Sequence, residues 1–224
     1  MRVLTCLLYA LLVACGKPAH LTPPIYAPMP APDADQEGSP RTRLPNDTHP
    51  LRYAIELELV PERPTYKGKV AIDIALDRPR ETLWLHQKGI RASRVQLVRV
   101  GLEPLTGVLE DVTPSGLTAL RLPQPVGPGV ARIEIDFEAD VGKRLSGLYR
   151  AEAAGTPYLF TQFEPIAARE AFPCFDEPRF KTPFEVTLRV KPEHVAVSNT
   201  QQVSSEPTSD GLRAVRFAQT EKLP

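Results

Sequence analysis

The chain has 224 residues carrying 27 basic and 27 acidic side chains, so there is no net positive field for nucleic acid and no polybasic run to dock on acidic lipid. The hydrophobic share of 42% is enough for one core, and 25 prolines with 13 glycines favour short segments over long helices. Nucleic-acid partners and wholly helical bundles are therefore set aside at the outset.

In chain order, Arg2 gives a positive start, Leu4 to Ala14 form an apolar run of 11 residues, and Leu12-Val13-Ala14-Cys15 closes it. This reads as a secretory signal over residues 1–14, too short to span a bilayer. A small residue followed by cysteine resembles the lipobox of bacterial lipoproteins, which implies that Cys15 becomes the lipidated first residue of the mature chain. More than one acyl chain there anchors a protein without a transmembrane helix. Attachment is then expected through lipid on Cys15, outside the cytoplasmic membrane. Gly16 in place of an aspartate favours the outer membrane, facing periplasm or cell surface. Cys6 leaves with the signal, so Cys174 has no partner for an internal disulfide.

From Gly16 to Pro45 there are eight prolines in thirty residues and no apolar period. Residues 15–45 are thus expected to form a disordered, proline-rich spacer, reaching roughly 90 Å if it adopts polyproline II.

Alternation begins near Asn46. Tyr53, Ile55, Leu57 and Leu59 share one face against Glu56 and Glu58, and Val70, Ile72, Ile74 and Leu76 repeat the register after a turn holding Pro61, Pro64 and Gly68. The two runs predict a hairpin of half-buried strands. "ARIEIDFEADV" and "FEVTLRV" read the same way, the second with Phe184, Val186, Leu188 and Val190 inward. Weaker runs lie at Leu83–Leu85, Arg94–Val100, Leu117–Leu122, Tyr158–Phe160 and Ala214–Ala218. Many short strands without a 3.6-residue period predict an all-β, antiparallel sandwich forming a single domain over residues 46–224.

The densest stretch is Tyr158 to Val186. "TQFEP" at Thr161–Pro165 is followed by Ala168-Arg169, "AFPCFDEP" at Ala171–Pro178 and Phe180-Lys181. From spacing alone Glu164 could be a solvated loop carboxylate and Gln162 a strand-edge residue. Arg169, Asp176 and Glu177 read as an ion pair and turn cap holding the loop. Cys174 reads as a packing residue, since neighbouring acids disfavour its thiolate. These motifs, with "RLPNDTHPLRYAIELEL", "YKGKVAIDI" and "VSNTQQVSSE" in the same order, resemble the N-terminal domain of the aminopeptidase N family of zinc metallopeptidases. The resemblance runs from about Arg43 to the last residue.

That resemblance implies a saddle-like β-sandwich leaning over the zinc site of a following catalytic domain. It also implies that Glu164 binds the α-ammonium of a peptide and that Gln162 lines the pocket for the first side chain. Family enzymes use H-E-x-x-H, with two histidines on one helix face around the metal and a glutamate activating the water. This chain has His20, His49, His86 and His194, none four apart, and it lacks G-A-M-E-N. His49, His86 and His194 read as surface or edge residues. No catalytic residue and no metal ligand is therefore assigned. Zinc belongs to the full-length family enzyme, and this chain is expected to bind none and to be inactive alone. Three functional readings remain: the recognition domain of a lipid-anchored zinc aminopeptidase, a stand-alone lipoprotein module that binds a peptide or partner without catalysis, or a β-sandwich with only a structural role.

Overall fold

A computed structural model describes residues 39–40 and 43–224. The secretory signal, Cys15 and most of the spacer lie outside the described residues. Leu44, on the spacer side of the expected 45/46 boundary, is buried in the core. Its backbone N–H donates to Glu177 Oε1 at 2.5 Å and its carbonyl accepts from Arg179 Nη2 at 2.6 Å.

The chain is all-β. An eight-stranded sheet contains β1 (Thr48–Glu58), β2 (Thr65–Leu76), β4 (Ile90–Val98), β5 (Leu105–Thr106), β8 (Gly129–Asp140), β11 (Phe184–Val190), β12 (Gln202–Pro207) and β13 (Arg213–Phe217). Its order is β12-β13-β11-β1-β2-β8-β4-β5. A three-stranded sheet is formed by β3 (Arg80–His86), β7 (Leu117–Val126) and β6 (Val108–Asp111), and a two-stranded ribbon by β9 (Gly147–Ala153) and β10 (Thr156–Gln162).

The expected hairpin is present, with Tyr53 opposite Ile72 and Ile55 opposite Val70. β8 closes on β2 with Ile133 opposite Ile72 and Ile135 opposite Val70. Alternation thus delivers one apolar face per strand, as a period of two requires. Ile72, Ile74 and Ile133 of the large sheet and Leu83, Leu85 and Leu120 of the small one are fully enclosed in a common core. This makes the two sheets the layers of a sandwich.

One pairing departs from the antiparallel rule. β1 and β11 run parallel, Tyr53 beside Phe184 and Leu57 beside Leu188. The long connection from β1 to β11 permits this, and it carries the rest of the core and the Tyr158–Lys181 region in between. Phe184, Val186 and Leu188 are only half-buried, and Val190 alone of the expected inward set is buried. Phe184 instead stacks on Tyr53 with ring centroids 4.8 Å apart.

Candidate functional site

Gln162 is the last residue of β10, and Glu164 lies two residues later in the turn that leads into a short 3-10 segment, Ala168–Glu170. Both are exposed. Among the described residues neither side chain makes a hydrogen bond or ion pair, so each offers its full valence to a ligand. On β10 alternation turns Leu159 toward the core and sets Tyr158, Phe160 and Gln162 outward. Phe160 meets Tyr149 of β9 at 5.9 Å and Tyr158 at 6.4 Å, forming a row of rings beside Gln162.

The flanks of this free pair are fixed. The Ala167 N–H closes the turn on the Phe163 carbonyl at 2.7 Å, and Phe163 packs edge-on against Phe172 at 5.7 Å. Arg169 is buried: its Nε donates to Asp176 Oδ2 at 2.7 Å, Nη2 to the Asp176 carbonyl at 3.0 Å and Nη1 to the Ser115 carbonyl at 3.1 Å. Such a buried charge persists only because it is paired and its donors are satisfied. Glu177 takes the Leu44 N–H and Arg179 Nε, the latter at 2.6 Å. The loop-holding roles expected for Arg169, Asp176 and Glu177 are thus realised by these contacts.

The "AFPCFDEP" segment is held from three strands. The Phe175 N–H donates to Tyr53 Oη at 2.9 Å, and Tyr66 Oη donates to the Ala171 carbonyl at 2.8 Å. His86 and Cys174 exchange two backbone hydrogen bonds of 2.8 and 2.9 Å, and His86 Nδ1 accepts the Asp176 N–H at 3.2 Å. His86 is buried, which corrects the surface reading, although its strand lies at the edge of the small sheet. It ends β3, where the strand runs beneath this loop, so tertiary packing sets its environment. Burial, with nearby Arg169 adding to it, lowers its pKa from 6.5 to about 4. Cys174 is buried too, and desolvation together with Asp176 pushes its thiol well above the ordinary value, which makes it a packing residue instead of a nucleophile.

Alternation marks Tyr53 only as an apolar body and is silent on Tyr66, although a buried tyrosine needs a partner for its hydroxyl. A metal is a different matter. Among the described residues no group of three or more His, Cys, Asp or Glu side chains is placed to hold an ion, so these residues do not fit a zinc site and no chemical step is assigned to one.

A concavity of about 530 Å³ lies elsewhere, on the polar face of the large sheet above Ala54 and Ala71, and includes neither Gln162 nor Glu164. Charges alternate across it in register, Glu56 beside Lys69, Lys69 beside Asp136 and Asp136 beside Arg94. Such a checkerboard describes a solvated sheet face.

Fold and site together define an all-β domain that displays an unpaired carboxylate and amide on a rigidly framed edge loop. Residues 49–224 match the model of the peptidase M1 N-terminal domain, and the chain belongs to that family. It is 32% identical to human endoplasmic reticulum aminopeptidase 1 over 194 residues, 82% of this chain and 20% of that protein. To the puromycin-sensitive aminopeptidase of Caenorhabditis elegans it is 30% identical over 190 residues, 81% of this chain and 20% of that one. The glutamyl aminopeptidase of Mus musculus is 27% identical over 223 residues, 91% of this chain and 24% of its own length. The chain thus spans about a fifth of the length of the relatives it matches.

Proposed function

We propose that the chain is the N-terminal substrate-recognition domain of a zinc aminopeptidase that removes N-terminal residues from peptides. Glu164 receives the α-ammonium and Gln162 lines the place of the first side chain. A carboxylate suits this task because a terminal ammonium offers three charge-assisted donors, whereas an internal amide offers one neutral one. Holding the terminus also fixes which bond reaches the reactive centre. That centre, with its zinc, would be supplied by a catalytic domain. The protein would be exported and held by lipid on Cys15 at a bacterial membrane, the outer membrane being favoured. The observation that carries the reading is the free, exposed Glu164 on a framed turn in a chain of this family.

The test is a titration of isotope-labelled chain with trialanine and with N-acetyl-trialanine. Amides around Gln162–Ile166 should shift with the free amine only, and Glu164→Gln should weaken binding by roughly tenfold, the loss of a charged partner in a solvated site. Equal response to both peptides, or binding untouched by Glu164→Gln, would sink the assignment.

A further inference from the structure

Gln162 faces Gly147 across the β9–β10 ribbon. Gly147 has φ +64°, and a Cβ built on it would lie 2.8 Å from Glu170 Cβ. Only glycine lets the Glu170 side chain lie against the start of β9. There Glu170 Oε2 accepts the Ser146 hydroxyl at 2.6 Å and Oε1 accepts Lys88 Nζ at 2.9 Å. Lys88 grips the same segment a second time, its backbone N–H donating to the Arg169 carbonyl at 2.8 Å. The side-chain hydrogen bond between Ser146 and Glu170 therefore closes a ring. It leaves Gln162, passes Glu164 at its apex, reaches Glu170, crosses to Ser146 and returns through Gly147, the partner of Gln162.

We propose that Ser146, Glu170 and Lys88 form a clamp whose task is to hold Glu164 and Gln162 in a fixed relation, making all three positioning residues for peptide recognition. The proposal rests on the amine-recognition reading of Glu164. Closing a short ring removes backbone freedom from the apex before any ligand arrives, and so lowers the ordering cost of binding. Lys88 is about half exposed, so its ion pair adds little to global stability and its effect is local. The Glu170 carboxyl, held below the usual range by Ser146 and then by Lys88, keeps its charge under mildly acid conditions.

Hydrogen exchange read by mass spectrometry on the whole chain tests this. In Ser146→Ala and Glu170→Ala, peptides covering residues 161–170 should exchange roughly tenfold faster, the worth of one charge-assisted hydrogen bond, while β1, β2 and β8 stay as protected as in the parent. Ser146→Thr keeps the hydroxyl and should restore protection. Trialanine affinity should fall with the loosening and recover with it. Unchanged exchange over residues 161–170, equal acceleration in all strands, or loosening without loss of affinity would overturn the clamp. A parent chain blind to trialanine overturns the recognition reading instead, and exchange then decides separately whether these side chains order the loop.

Discussion

His86 shows how one side chain couples the loop to pH. Its Nδ1 accepts the Asp176 N–H, so the fold needs the neutral ring at that atom. The native pKa lies at about 4, below the ordinary 6.5. Between these values the unfolded chain takes up a proton that the native chain refuses, so stability rises with pH across that window. The contribution is complete above the unfolded value and is lost as pH falls toward the native one, a change on the order of 2 to 3 kcal/mol. Asp47, Asp73 and Glu170 act lower on the scale. Burial opposes ionisation at all three, yet Arg80 and Arg78 at Asp47, Arg132 and Arg52 at Asp73, and Ser146 and Lys88 at Glu170 hold their pKa values down, so their stabilisation fades only as pH falls below the usual carboxylate range. Urea midpoints at about pH 7 and about pH 4.5 should therefore differ more for the parent chain than for His86→Gln. Equal differences would show that the histidine does not carry the slope.

At the scale of elements, β2 and β8 meet at a point where shape matters more than pattern. Gly68 faces Phe137, and a Cβ at that glycine would lie 2.2 Å from Phe137 Cζ. The ring is buried and stands edge-on to Tyr66 at 6.4 Å, so it has little room to swing. Gly68→Ala should cost about 1 to 3 kcal/mol by overpacking, read as a lower urea midpoint with an unchanged slope. A midpoint equal to the parent's would mean that the ring repacks freely. The same pair shows what the sequence makes legible. β1, β2 and β8 announce themselves because each buries one face of alternating Ile, Val, Leu or Tyr. β12, "QVSSEP", is an edge strand with almost nothing buried, and β9 buries only Gly147 and Leu148, so neither leaves a periodic signal. The parallel contact of β1 with β11 joins residues some 130 positions apart, Tyr53 and Phe184 among them. Nothing local encodes it. The site divides likewise. "TQFEP" and "FPCFDEP" mark the loop, whereas the clamp depends on Lys88 and Ser146, which only the fold brings to Glu170.

For the whole molecule, the question is what a free Glu164 is for. An exposed carboxylate that holds an ammonium contributes affinity, but hydrolysis also needs an activated water and a group to stabilise the developing charge. None of the four histidines stands four residues from another, so the helical zinc motif of the resemblance cannot be built from this sequence. The row formed by Tyr149, Phe160 and Tyr158 runs beside Gln162, and half-exposed aromatic side chains of this kind are the usual anchors of an interface. On the proposed reading the occupant of that side is a catalytic domain, a reading supported by relatives that carry the name aminopeptidase and of which this chain spans about a fifth. The expectation is quantitative. An antibody against the sandwich, used on washed membranes, should reveal a band several times larger than the 24.8 kDa of these 224 residues. A band near that mass, reduced only by loss of the secretory signal, would remove the catalytic partner. Recognition of a peptide terminus would then be the whole activity, and the stand-alone binding module would replace the aminopeptidase.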